Sequence, residues 1–234
     1  MNHFRSIAAV GMCMIATTAV ATDFCTNQTT PIPDNASVIS IPLIFVGQAN
    51  ELVDTINIDL LMSHDWVGDL VIQLRSPSGT TITLLDRPGI PSAGFPGPFG
   101  CGGRDLDCTF TDQALTPAES ICSTTAVPVI TGEVIPSMPM SAFIGEPASG
   151  LWHLLVSDES SYDSGTVHEV CLSITTNIAC LPDLNADGVL DFFDISAFLT
   201  AFSNQDPIAD FSDDGIYDFF DVSAFLSAFT SGCP

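Results

Sequence analysis

HDWVGDLVIQLRSPSGTTITLL, residues 64–85, decides the fold of this chain. Within it DLVIQLRS (69–76) places Ile72 and Leu74 against Val71, Gln73 and Arg75, the two-residue period of a half-buried strand. SPSG (76–79) is a turn signal, and TTITLLD (80–86) is a second strand candidate. Working outward, VISIPLIFV (38–46), DTINIDLLM (54–62), GLWHLLVSD (150–158) and GTVHEVCLSIT (165–175) are short runs rich in Val, Ile, Leu and Thr. Ile56, Ile58 and Leu60 alternate, and SYDSG (161–165) separates the last two runs. Many short strands at this spacing predict an antiparallel β-sandwich. Residues 87–125, opening with RPGIPSAGFPGPFGCGG, predict a long decorated loop held by cysteines.

After Thr176 the period changes. Residues 183–194 (DLNADGVLDFFD) recur at 210–221 (DFSDDGIYDFFD), and the likeness continues into ISAFLTAF (195–202) and VSAFLSAF (222–229). Thirteen of the 21 positions from Asp183 to Ser203 are identical in the second copy, 27 residues on, so one unit is present twice. Ile195, Phe198, Leu199 and Phe202, like Val222, Phe225, Leu226 and Phe229, follow the i, i+3, i+4, i+7 spacing of a helix.

The repeat carries oxygen donors at positions 1, 3, 5, 9 and 12, with glycine at 6, which is the spacing of a calcium loop. The expected ligands of the first loop are Asp183, Asn185, Asp187, the Val189 carbonyl, Asp191 and Asp194. Those of the second are Asp210, Ser212, Asp214, the Ile216 carbonyl, Asp218 and Asp221. Two bound Ca2+ ions are expected, because residues 181–234 hold ten aspartates and no Lys, Arg or Glu. Without cations those charges repel, so metal binding is expected to drive folding there. Position 12 is Asp rather than Glu, and Cys180-Leu181-Pro182 and Asp206-Pro207 leave no entering helix, so neither copy is an ordinary EF-hand. At ~100° per residue, Phe192 falls with Ile195, Leu199 and Phe202 and is expected in the core; Phe219 follows suit. Phe193 and Phe220 fall among small residues, where they read either as a partner-binding face or as packing against the other helix or the sandwich.

Composition narrows the functional classes. Of 234 residues, four are basic (Arg5, Arg75, Arg87 and Arg104) and none is lysine; the formal net charge is -24. Such a surface repels nucleic acid and anionic membranes. Yet only 14% of residues are charged and 46% are hydrophobic, which predicts packed domains rather than an acidic tail. Residues 1–21 read as a signal peptide: Arg5, an apolar stretch from Ile7 to Val20, then Ala19-Val20-Ala21. The stretch is short for a membrane span of ~20 residues, and no later run qualifies. The mature chain is therefore expected to be secreted or associated with a cell surface, without a membrane span. Export favours disulfides. Cys180 and Cys233 bracket the repeat and are the expected pair; Cys25 and Cys171 stand near the ends of the sandwich. Cys101, Cys108 and Cys122 share one region and leave one of the three unpaired, with the connectivity open. Asn27 and Asn35 match glycosylation sequons.

HDWVGDLVIQLRSPSGTTITLL and the closing GLWHLLVSDESSYDSGTVHEVCLSI (150–174) together resemble the P domain (P/Homo B domain) of proprotein convertases, over about residues 38–175. The resemblance implies a jelly-roll-like β-sandwich that accompanies a subtilisin-like catalytic domain. About 16 residues separate the expected cleavage site from the first strand, too few for such a domain, and the family's serine-nucleophile motif around GTS is missing. The segment from Cys180 to Pro234 resembles the cysteine-bracketed dockerin-like modules of bacterial secreted proteins. That resemblance implies an adaptor that docks on a cohesin-like or other scaffold protein, with recognition residues at loop positions 10 and 11 and on the helix that follows. The familiar modules carry polar residues where this chain has phenylalanine.

The expected domains are 1–21 (signal), 22–177 (P-like sandwich) and 178–234 (dockerin-like module). The expected function is non-catalytic: the module anchors the sandwich to an extracellular scaffold, and the sandwich binds protein or glycan. The alternative is an accessory P domain for a subtilisin-like serine endopeptidase. A cryptic hydrolase built from His64-Asp65, His153, His168 and serines is weaker, since no nucleophile elbow is present. Asp65, Asp69, Asp158, Glu159 and Asp163 read either as a further calcium site in the sandwich or as solvated turns, and their irregular spacing favours the turns. Trp152 is expected in the core, and Trp66 as an exposed contact.

Overall fold

A computed structural model describes residues 22–233 apart from 35, 48–50, 90–99, 179, 186 and 213. The expected signal peptide and Asn35 lie outside the described residues, as does much of the Gly/Pro-rich stretch after Arg87. Among the described residues are ten strands: β1 (Thr22–Thr26), β2 (Thr30–Ile32), β3 (Ile39–Phe45), β4 (Glu51–His64), β5 (Leu70–Arg75), β6 (Thr81–Asp86), β7 (Leu106–Phe110), β8 (Ile130–Val134), β9 (Gly150–Asp158) and β10 (Gly165–Ile178). The α-helices α1 (Phe192–Asn204) and α2 (Phe219–Ser231) follow.

The strands form two sheets. One runs β1-β10-β4-β7-β8, with β2 also on β10; the other runs β3-β9-β5-β6. The expected hairpin is there: Leu74 pairs with Ile82 and Arg75 with Thr81. Alternation decides which face each residue takes. On β5, Leu70, Ile72 and Leu74 are buried while Val71, Gln73 and Arg75 are half-exposed. On β4, Ile56, Ile58, Leu60 and Met62 point the same way into the core. Burying a Leu or Ile side chain contributes about 1.5–3 kcal/mol, and one continuous core runs between the two sheets. Trp152 is fully buried in it, edge-on to Phe143, and its indole N–H donates to the Ala148 carbonyl at 3.0 Å.

Three expectations need correction. Residues 87–125 are not simply a loop: β7 and a single 3-10 turn (Ala118–Ser120) lie inside them. A five-residue run, LDCTF, flanked by glycines and cysteines, gives too short an alternation to stand out, and its register with β4 is a tertiary matter. The sandwich is not wholly antiparallel, because β7 and β8 run parallel, joined through the segment 111–129. Trp66 is not a free contact but half-buried; its ring lies so close over Gly102 that a β-carbon there would come within 2.8 Å of it.

Three disulfides join Cys25 to Cys171, Cys101 to Cys122, and Cys180 to Cys233. Cys25 and Cys171 face each other across the β1–β10 pair. Cys108 is the free cysteine among the described residues and is buried. The helices have a core of their own, built on Phe198, Ala209 and Phe225.

Candidate functional site

Each copy of the repeat folds as a loop closed onto the helix that follows. In the first, the Asp183 carboxylate accepts the Asp187 N–H (3.2 Å) and the Gly188 N–H (2.8 Å). In the second, Asp210 accepts the Asp214 N–H (3.2 Å) and the Gly215 N–H (2.8 Å). Gly188 and Gly215 sit at φ of 79° and 74°, a left-handed turn that suits glycine. Asp187 and Asp214 accept from the Val189 and Ile216 N–H groups. Asn185 donates through Nδ2 to Asp187, and Ser212 through Oγ to Asp221.

Asp191 and Asp218 cap the helices. Their side chains accept from Phe193 and Phe220, while Asp194 and Asp221 reach back to the N–H of Asp191 and Asp218, which completes a capping box on each helix. Asp194 and Asp221 also accept from the N–H of Asn185 and Ser212, so one buried carboxylate ties loop to helix in each copy. Those backbone N–H bonds, led by the ones from Asp191 and Asp218, hold both carboxyls below the usual carboxylate range.

The helices meet through stacked phenylalanines. Phe198 and Phe225 lie ring on ring, centroids 4.1 Å apart, with Phe211 edge-on to both. The expected core face is rotated from where the spacing put it. Phe192, Phe193, Phe219 and Phe220 are all 66–75% exposed, and Leu199 and Leu226 are exposed as well. The buried face centres on Phe198 and Phe225, with Ile195 and Phe202 partly buried beside Phe198. Phe192 stands six positions before Phe198, about 600°, or 120° short of two full turns away from that centre. It therefore clears the partner helix, and both members of each pair face outward, ring to ring at 6.5 and 6.3 Å.

In the sandwich, a buried corner gathers the ends of β4 and β9. His64 Nε2 lies 3.2 Å from Asp158 Oδ2, with both side chains fully buried. His64 Nδ1 lies 2.9 Å from the Trp66 carbonyl and 3.2 Å from the Trp66 N–H. Asp69, also buried, is pushed up to about 6 by burial and then by the charges of Asp158 and Asp163, against the pull of Arg87 and His64. His153 pairs with Ser40 (2.8 Å) and His168 with Ser63 (2.9 Å), both between neighbouring strands. Among the described residues no histidine joins a serine to a carboxylate: His64 has the acid and no serine, and the other two have a serine and no ion pair. Among His, Cys, Asp and Glu of the described residues, one trio converges to metal-ligand distance, Cys25, Glu169 and Cys171, and its two sulfurs are joined in a disulfide.

Sequence reasoning found Asp69 and Asp158 as turn acids but missed that the fold buries them beside His64. The signal was the DWVGD turn, whose packing against a strand ninety residues later has no trace in local spacing.

Part of the chain is similar to known proteins. No curated protein matches the chain. Among solved structures, a serine protease of Aeromonas sobria is 18% identical at a TM-score of 0.38, covering 68% of this chain and 27% of the protease. The same protease in complex with the chaperone ORF2 gives 19% and 0.39, with the same coverage. FlhE gives 12% and 0.37, covering 68% of this chain and 99% of its own. This chain thus spans 27% of the length of the protease it matches. Among the described residues no helix is long and apolar enough to cross a membrane. Residues 53–96, from β4 through the β5–β6 hairpin, match the family model of the proprotein convertase P-domain.

Proposed function

We propose that the sandwich is a non-catalytic accessory P domain that associates with a subtilisin-like serine endopeptidase, in a protein exported to an oxidising compartment. The observation that carries this reading is the P-domain match over residues 53–96, the segment that holds most of β4 and the β5–β6 hairpin. Three disulfides support an exported protein. The test is co-production of the full chain with a subtilisin-type catalytic domain deprived of its own P domain. Association should raise the yield of soluble, active protease and retain the chain through purification. If the protease yield and activity stay the same with and without the chain, the reading fails.

A second role rests on the repeat. We infer that residues 180–234 form a calcium-dependent, dockerin-like tether for a cohesin-like or other surface protein. The spacing of Asp183, Asp187, Asp191 and Asp194, with Asn185 and the Val189 carbonyl, suits the oxygen ligands of one hard cation, and that of Asp210, Ser212, Asp214, Ile216, Asp218 and Asp221 a second, on closing of the loop carboxylates, which are not gathered to ligand distance here. Two buried carboxylates, Asp194 and Asp221, with no basic residue in the module, support a cation in each loop. Phe193 and Phe220 are the partner-facing residues on this reading, joined by the equally exposed Phe192 and Phe219. The tether is tested by calcium-dependent capture from the envelope of the parent cell, comparing wild type with Phe193→Ala plus Phe220→Ala. Equal capture in calcium and in chelator would sink it.

A further inference from the structure

On the outer face of the six-stranded sheet, the register sets Leu61 of β4 between Glu169 of β10 and Asp107 of β7. Two residues back along β4, Asp59 stands between Cys171 and Thr109. The three acids are exposed, and Leu61 is 40% exposed among them. Together they line an open cavity of about 540 Å³ that reaches Gly132 of β8. At Gly132 nothing stands within 4 Å of where a β-carbon would sit, so the cavity is open on that side. No arginine lies on the strands of this sheet, and the chain has no lysine. The face is a socket with an apolar floor and negative walls.

The outer face of the four-stranded sheet carries the opposite pattern. Arg75 on β5 is the one arginine borne on a described strand. It is half-exposed and forms no ion pair among the described residues. His153 of β9 stands opposite it, and two residues earlier on β9 Leu151 stands opposite Ile44 of β3. Leu151 and Ile44 are 43% and 61% exposed. The acid at an exposed strand position of this sheet is Asp86, opposite Val71, about four residues or roughly 13 Å along the hairpin from Arg75. One cation beside an apolar pair thus faces away from one side of the sandwich, and three carboxylates around Leu61 face away from the other.

We propose that the acidic socket takes a second copy of this chain, front to back, with Arg75 of one copy set among Asp59, Asp107 and Glu169 of the next and Leu151 beside Leu61. Charge complementarity selects both the occupant and its orientation. Socket against socket would gather six carboxylates. Two four-stranded faces would offer each Arg75 only Asp86, whereas front to back offers it three acids. The contact is heterologous, so every copy keeps one free socket and one free Arg75 face, and the array stays open-ended. Four strands give a face of roughly 15 by 20 Å, well under the ~800 Å² per partner of a stable interface. Two chains of net charge -24 also repel at a distance. The association is therefore weak and belongs to copies crowded together, as on one surface.

The experiment is sedimentation equilibrium of the chain starting at Thr22, up to millimolar protein, at ~0.15 M salt, where a Debye length of ~8 Å screens the long-range repulsion. The weight-average mass should climb continuously with concentration and reach no plateau at the dimer. Arg75→Gln removes the cation and spares the socket. Asp107→Lys plus Glu169→Lys spoils the socket and spares Arg75. Each variant alone should need at least tenfold more protein to associate. Mixed in equal amounts they should form a one-to-one dimer that grows no further, since one supplies the socket and the other the Arg75 face. All the substituted side chains lie on the surface, and circular dichroism checks that each sandwich is intact. A wild type that stays monomeric throughout overturns the proposal. So does a mass that levels off at the dimer and falls with Asp86→Asn, which would mean that like faces meet. Association lost in Phe193→Ala plus Phe220→Ala but kept in Arg75→Gln would place the contact on the helices and overturn it as well.

Discussion

At the scale of single residues, burial acts on chemistry through charge. The Cys108 thiol is pushed up to about 12, first by burial and then by the carboxylates of Asp107 and Asp59. A thiol so held is not a nucleophile at neutral pH. The chain starting at Thr22 should show no reaction with a thiol reagent at pH 8 when folded and one equivalent in denaturant. A full equivalent in the native protein would contradict the burial of β7. Asp69 gives a pH signature of the opposite kind to most carboxylates. Its folded pKa lies above its unfolded value of 3.8, so the folded state holds the proton more tightly. The stability this contributes is full below pH 3.8 and is lost as pH rises to about 6. Asp69→Asn, measured in chelator, should therefore raise the melting temperature of the sandwich by a few degrees at pH 7.5 and much less at pH 4. An equal gain at both values would mean that the charge of Asp69 is not what costs stability.

At the scale of elements, the repeat shows what local spacing fixes and where it stops. The loops, the capping boxes and the helix starts follow from residue order alone, because each bond spans nine residues or fewer. The buried face of each helix does not, since it depends on where the other helix crosses. The spacing admits either Leu199 or Phe198 as the centre, and the stacking of Phe198 on Phe225 selects the second. Phe198→Ala should cost about 3–5 kcal/mol and abolish most of the helical signal at 222 nm, whereas Leu199→Ala should leave it nearly unchanged. The low carboxyl pKa of Asp194 and Asp221 adds a condition: their contribution is present above pH 3.8 and fades as acid protonates them.

At the scale of the whole molecule, two separate cores predict two unfolding events. Calorimetry of the full chain should resolve two transitions. Calcium should move only the smaller one, by an amount that grows with free calcium as ligand linkage requires. The Cys180–Cys233 bridge encloses a separation of 53 residues, which contributes about 4 kcal/mol by chain entropy. Reducing agent should therefore lower the smaller transition more than chelation alone. A single cooperative transition unaffected by calcium would count against both the division and the cation loops.

The order of residues by itself determined the strand character of 39–45, 51–64, 70–75, 81–86, 150–158 and 165–178, within a few positions at their ends, and the doubled loop-helix unit. These are period and turn signals that act over a few residues. Only the tertiary structure decided that β7 belongs to the six-stranded sheet and pairs in parallel with β8. It also decided that Cys101 takes Cys122 and leaves Cys108 buried, that Trp66 folds down over Gly102, and that His64, Asp69 and Asp158 share one corner. Each of these depends on contacts between residues far apart in the chain, whose register no local pattern encodes.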